Sequence, residues 1–337
     1  MTEQVSSGAE APVVSVRNLE VKLKRRSSVI SAVNGISFDL KRGECLTVIG
    51  ESGSGKSVML RSLMGLLPSN AQITGEIKVD GHDVLRAGKQ ELMRLRGESV
   101  AMIFQEPSTA LDPVFTIGDQ IIETLIRHEG MSHKAASKRA LELLELVAIP
   151  SAARRLKNYS HEISGGMRQR CVIALALACN PKVLLADEPT TALDATVQIQ
   201  LLLLLRRLQS ELNMAVIFVT HDMGVAAEIS DKVAVMYAGR FVETGTTEDI
   251  LLSPRQPYTQ GLLNSTLHAG MRGQVLQGIK GAPPNLAELP AGCAFAPRCA
   301  FSDEGCLSWT PDATALGGSH YAACRRLADL PEFKPVR

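Results

Sequence analysis

Residues 50–57, GESGSGKS, place three glycines, a lysine and a serine in the order G-x-x-x-x-G-K-S, an arrangement that binds phosphate. Gly50, Gly53 and Gly55 let the backbone curl until its N–H groups face one anion, with Glu51, Ser52 and Ser54 completing the loop. Lys56 can reach the outer phosphates of a nucleotide, and Ser57 can give an oxygen to Mg2+. A second stretch, VLLADEP at 183–189, ends four aliphatic residues on two carboxylates. Asp187 would hold the water shell of the metal, and Glu188 would orient and deprotonate an attacking water. Alone, such a run is an ordinary strand end; paired with the glycine loop it is half of a nucleoside-triphosphatase site.

A further glycine pair lies in ISGGMRQR, 163–170. Ser164, Gly165 and Gly166 at the start of a helix form another anion nest. One chain does not need two nests for one triphosphate. Two chains packed head to tail would use both, the lysine loop of one facing the Ser-Gly-Gly of the other.

Particular elements must hold these residues in place. LTVIG (46–50), VLLAD (183–187) and VIFVT (216–220) are short aliphatic runs, each leading into a polar residue. They predict strands buried on both faces, as in a parallel sheet covered by helices. Val13 to Leu23 alternates, predicting an exposed or edge strand. HKAASKRALELLELVAI (133–149) and TVQIQLLLLLRRLQSELN (196–213) carry helical periodicity, with the five leucines at 201–205 as a buried face. Residues 1–12 are small and polar and predict a disordered tail. Past residue 250 the chain turns rich in Pro and Gly, so we place a boundary there, with a loop-rich extension over 251–337.

The chain has 337 residues, and 36 Lys plus Arg against 35 Asp plus Glu leave a formal net charge of +1. That balance, with aromatics at 4%, argues against a nucleic-acid binder. No apolar run reaches membrane-spanning length, and the first residues lack the pattern of a secretory signal. Cytosolic residence is expected, where structural disulfides are rare. Cys45, Cys171 and Cys179 lie in apolar stretches and read as small hydrophobes. Cys293, Cys299, Cys306 and Cys324 follow the spacing C-x5-C-x6-C-x17-C. This matches neither the short zinc knuckles nor the tight ferredoxin runs. Spacing leaves zinc, an iron–sulfur cluster and no metal all open.

The order GESGSGKS, Gln105, SGGMRQR, LLADEP, TALD, VTHD resembles the ATP-binding cassette family of transport ATPases, from about residue 13 to 250. The resemblance implies an α/β P-loop NTPase fold: a RecA-like core, an antiparallel β subdomain, and a helical signature subdomain over about 106–175. It implies ATP and Mg2+ as ligands. Gln105 would sense Mg2+ and nucleotide; Ser164, Gly165 and Gly166 would act across a dimer; Asp194 would sit at the seam. His221 would touch the γ-phosphate and support Glu188. The family often stacks adenine on an aromatic residue at the place that here falls on Leu23, so aliphatic contact would replace stacking.

EPSTALDP (106–113), SPRQPYTQGLL and GAPPNLAELPAGCAFAPRC are similar to the ATP-binding subunits of oligopeptide, dipeptide and nickel importers, over nearly the whole chain. This implies a peripheral subunit at the cytoplasmic face of the inner or plasma membrane, driving uptake of di- or oligopeptides. Nickel chelates, glutathione, opines and sugars are the alternative cargoes. The implied partners are two permease subunits, a second homologous ATP-binding subunit (a heterodimer expected, a homodimer the alternative) and, indirectly, an extracytoplasmic solute-binding protein. Residues 106–113 would line the groove for a permease coupling helix. The tail pattern implies a [4Fe–4S] cluster on Cys293, Cys299, Cys306 and Cys324, with zinc as the alternative and a structural role foremost. A DNA-repair ATPase would carry a long coiled-coil insertion, and a translation-associated cassette protein a second P-loop; the sequence has neither.

Overall fold

Twelve strands carry the described residues, which in the computed structural model are 11–25, 28–105, 110–191, 193–265 and 278–333. In chain order they are β1 (Val14–Lys24), β2 (Val29–Leu40), β3 (Cys45–Ile49), β4 (Ala71–Val79), β5 (His82–Asp83) and β6 (Val100–Ile103). Then follow β7 (Val183–Asp187), β8 (Ala215–Thr220), β9 (Lys232–Tyr237), β10 (Arg240–Thr246), β11 (Thr314–Gly317) and β12 (His320–Ala322). They form an antiparallel sheet of order β2-β1-β4-β5 and a larger one of order β11-β12-β10-β9-β3-β8-β7-β6.

In the larger sheet β9, β3, β8, β7 and β6 run parallel. β3, β7 and β8 are buried at every residue, as doubly covered strands should be. Their side chains divide by alternation. Val216 and Phe218 join a core with the helices Ile117–Glu129, His133–Leu146 and Gly165–Ala176, whereas Ile217 and Val219 join the core beneath the antiparallel sheet.

Each of these helices begins on a hydroxyl side chain that accepts a backbone N–H: Thr116 from Asp119, Ser132 from Ala135, Ser164 from Met167. Such caps satisfy donors that the first turn otherwise leaves unpaired.

Two sequence expectations change. β1 is not an edge strand, because β2 pairs along one side of it and β4 along the other. Its alternation records one covered and one open face, which is independent of how many neighbours it has. A bulge after Val16, with Asn18 at φ 46°, shifts the buried set from Val14 and Val16 to Leu19 and Val21. Among the leucines, Leu201, Leu202, Leu204 and Leu205 are buried in helix Ala195–Glu211, but Leu203 is 63% exposed. Five consecutive positions circle more than a full turn of helix, so one must face out. Cys45, Cys171 and Cys179 are buried free thiols, as expected.

After residue 250 the chain continues the same sheet. β12 pairs with β10 through Glu243 and Thr244, and β11 folds onto β12. A third core joins Tyr258, Leu263 and Phe295 to Ile49 of β3 and Val235 and Tyr237 of β9. Beneath β12, the buried Glu243 carboxylate accepts from His320 Nε2 (2.8 Å), Arg255 N (2.6 Å) and Gln256 N (3.2 Å). No helix among the described residues is long and apolar enough to cross a membrane. The expected N-terminal tail lies outside the described residues but for its last two positions.

Candidate functional site

The carboxyl ends of the parallel strands form one edge, where open α/β sheets characteristically bind ligands. β3 runs into residues 50–57, β7 ends on Asp187 with Glu188 next, β8 leads into His221, and Gln105 lies just past β6.

The phosphate loop is built around positions that only glycine can occupy. A Cβ on Gly50 would lie 2.2 Å from Met236 O, and one on Gly55 2.2 Å from Ala32 O. Gly55 also has φ 108°, in the left-handed region that penalises any side chain. Helix Lys56–Leu63 follows at once, so its free N–H groups point into the loop. Ser54 Oγ is buried without a hydrogen-bond partner among the described residues. Lys56 is buried and donates to Gly50 O (2.7 Å) and Glu51 O (2.9 Å), folded back onto its own loop. Burial lowers its pKa, opposed by the charges of Glu188, Asp187 and Glu51.

Ser57 Oγ donates to Asp187 Oδ1 at 2.9 Å, bringing together two oxygen ligands suited to a hard cation. Burial pushes the Asp187 carboxyl above its usual range, the Ser57 hydrogen bond pulling the other way. A buried carboxylate held at such cost is one that a bound cation would compensate.

Glu188 takes φ 47°, an unusual left-handed conformation fixed by its N–H donating to Val219 O at 3.0 Å. Its Oε2 meets His221 Nδ1 (3.2 Å), Gln105 Nε2 (3.4 Å) and Thr191 Oγ1 (3.1 Å). Thr191 escaped the sequence reading. Its only signal was a hydroxyl residue three places after a carboxylate, which marks a local turn far more often than a site.

Ser164 Oγ accepts from Met167 N (3.3 Å) and Asp194 Oδ1 from Val197 N (3.0 Å), partners outside this cluster. Both are exposed N-caps, of helices Gly165–Ala176 and Ala195–Glu211. The two helix starts meet: a Cβ on Gly166 would fall 2.8 Å from Val197 Cγ1. Leu23 is half-buried in β1, packed on the core under the antiparallel sheet. Of the expected groove at 106–113, residues 106–109 lie outside the described residues. Next to it Val114 and Phe115 are 73% and 52% exposed, and Phe115 lines a groove with Met93, Asp112 and Gln120.

The extension reaches the phosphate loop, which the sequence did not disclose. Arg298 grips both oxygens of Glu51, at 2.6 and 2.9 Å, and Tyr258 OH accepts from Glu51 N at 2.9 Å. Cys293, Cys299, Cys306 and Cys324 line one small cavity behind this contact. Among the described residues no three His, Cys, Asp or Glu side chains stand close enough to hold a single metal ion.

Comparison with known proteins agrees with this geometry. Residues 33–191 match the ABC transporter family model, and residues 242–306 match that of the oligopeptide/dipeptide transporter C-terminal region. The chain is 48% identical over 314 residues to the dipeptide transport ATP-binding protein DppD of Bacillus subtilis, covering 93% of this chain and 94% of that one. It is 45% identical over 324 residues to the oligopeptide transport ATP-binding protein OppD of Salmonella typhimurium, covering 96% and 94%. A dimeric post-hydrolysis state of the ATP-binding cassette MJ0796 bound to ADP and Pi superposes with TM-score 0.62 at 30% identity, covering 69% of this chain and 98% of that one.

Proposed function

The chain belongs to the ATP-binding subunits of peptide-importing ABC transporters, and from that premise we propose how its residues divide the work of ATP hydrolysis and what it drives. The observation that carries the reading is the gathering of Gln105, Thr191 and His221 on one oxygen of Glu188, at the sheet edge that also presents the phosphate loop.

The loop amides of residues 50–57 and Lys56 bind the β- and γ-phosphates. Ser57, Asp187 and Gln105 hold Mg2+, which when bound offsets phosphate charge. The close Ser57–Asp187 pair supports that assignment. Glu188 is the general base. With its donors all on Oε2, Oε1 has no protein donor among the described residues and is free to accept a proton from water. His221 and Thr191 hold the carboxylate in place. Leu23 offers the adenine ring aliphatic contact.

Ser164, Gly165, Gly166 and Asp194 act on the site of a second subunit. Their exposure supports this, as does the dimeric state of the related cassette. That second subunit is a related ATP-binding protein or another copy of this chain. Two permeases complete the assembly, fed by a solute-binding protein, with this chain peripheral at the cytoplasmic face. The exposed Val114, Phe115 and Met93 suit a permease helix. The transported solutes are di- and oligopeptides, in keeping with the names of the relatives.

For Cys293, Cys299, Cys306 and Cys324 we propose a [4Fe–4S] cluster, with zinc as the alternative. The support is that the four thiols line one cavity. The Cys299 sulfur accepts from Phe301 N at 3.4 Å, the kind of amide contact a ligating sulfur uses. When bound, such a group closes loops that have little apolar core of their own.

The test is ATP hydrolysis and peptide uptake in vesicles holding the chain with its permeases. Peptide-stimulated hydrolysis that disappears without the permeases supports the reading; indifference to both sinks it. Absorbance at about 400 nm after anaerobic purification would identify the cluster, and one colourless zinc per chain would reject it.

A further inference from the structure

Arg298 sits in the 3-10 turn Ala296–Arg298, between Cys293 and Cys299. Its side chain is only 5% exposed, unusual for arginine, and its donors are engaged. Nη1 and Nη2 bind the two oxygens of Glu51 at 2.6 and 2.9 Å, Nη1 also reaches Tyr237 OH at 3.3 Å, and Nε donates to Lys280 O at 3.0 Å. The guanidinium carbon lies 5.9 Å from the ring centres of both Tyr237 and Phe295. The planar fork is thus fixed in direction as well as in place.

Its target is the second residue of the phosphate loop. Glu51 is held by the extension through its carboxylate and through its backbone N–H, which donates to Tyr258 OH. Its carbonyl is the acceptor for Lys56 Nζ at 2.9 Å. An unpaired carboxylate here would oppose a triphosphate, since like charges repel strongly at a poorly solvated site.

We propose that Arg298 is a positioning residue for nucleotide binding. By pairing with Glu51 it fixes the phosphate loop and cancels a negative charge on it, so that affinity for ATP depends on the cysteine-bearing extension being folded against the loop. The turn that aims Arg298 is held by Cys293 N donating to Cys306 O (2.9 Å) and Cys299 N donating to Ala296 O (3.2 Å). Loss of order around the cysteines therefore reaches the ATP site by one short route.

This inference rests on residues 50–57 being the triphosphate site, and the experiment separates the two. The full-length chain is titrated with Mg2+ and trinitrophenyl-ATP, with thermal unfolding as the control for folding. Arg298→Gln is expected to weaken binding about tenfold, and Arg298→Lys about threefold, because lysine keeps the charge but loses the fork. Adding Glu51→Gln to Arg298→Gln should recover most of the loss, since the unpaired charge is then gone. A merely structural anchor would give no such recovery. Unchanged affinity in Arg298→Gln, or a double variant no tighter than the single, overturns the inference. If Arg298→Gln does not fold, the lysine variant decides, and wild-type affinity there overturns it equally. Loss of binding in Lys56→Ala together with no effect at Arg298 refutes this inference alone. Binding untouched by Lys56→Ala refutes the phosphate-loop reading, and this one with it.

Discussion

Thr191 and Glu188 are joined twice within one turn, by a hydroxyl-to-carboxylate hydrogen bond of 3.1 Å and by Thr191 N donating to Glu188 O at 3.2 Å. The turn leads directly to Asp194, the N-cap of helix Ala195–Glu211. In sequence the proposed base thus stands six residues before Asp194, which would face a second subunit.

Thr191→Val removes the hydroxyl and keeps the shape. We expect kcat for ATP to fall about three- to tenfold with KM nearly unchanged, because one neutral hydrogen bond orienting a base contributes about 1 kcal/mol. Steady-state kinetics of the reconstituted importer would show it, and a rise in KM alone would contradict it.

Glu188→Gln should abolish turnover, by a factor of at least about a hundred, while leaving Mg-ATP bound. Phosphate release and nucleotide retention, measured on the same sample, separate the two effects. Retained hydrolysis would mean that another group takes the proton.

Gly55→Ala should destabilise the chain by about 2 kcal/mol or more, given the positive φ and the close approach to Ala32 O. Gly53→Ala meets no neighbouring atom within 4 Å, although its φ of 80° carries a backbone penalty of its own. Thermal unfolding should rank Gly55→Ala well below Gly53→Ala. The reverse order would argue against the close packing of the loop.

The Cys45 and Cys171 thiols are each pushed up to about 12 by burial, from an ordinary value of 9.0. They stay protonated in the folded chain at pH values where the unfolded chain has lost those protons. The stability they contribute is fully present below pH 9.0 and is lost as pH rises from there toward about 12. Melting curves should fall across that window, less steeply in Cys45→Ala. At pH 8 neither thiol should react with iodoacetamide until the chain unfolds.

The phosphate loop, the Asp187–Glu188 strand end and the helix beginning at Ser164 were legible because their chemistry is local. A glycine run after a buried strand, or a serine ahead of a helix, carries its own explanation within a few residues. The neighbours of β1 were not, since alternation reports faces and not pairing partners. Arg298 and Tyr258 were hidden for a different reason. They stand 247 and 207 residues from Glu51 along the chain, and an arginine before a cysteine looks like a solvated charge until the fold buries it. The exposure of Ser164 and Asp194 emerged only in three dimensions.

The pairing of β12 with β10 has one more consequence. Without the hairpin, β10 would present a row of unpaired backbone groups with the apolar Phe241 and Val242 among them, an inviting template for any other extended chain. The hairpin hides that row and ends the sheet instead on β11, a four-residue strand closing on Gly317 and too short to recruit another. A chain cut near residue 250 would keep residues 50–57 but lose Arg298 and Tyr258 from Glu51, and it should also stick to its own copies. Truncations of this protein therefore need light scattering beside any nucleotide-binding measurement.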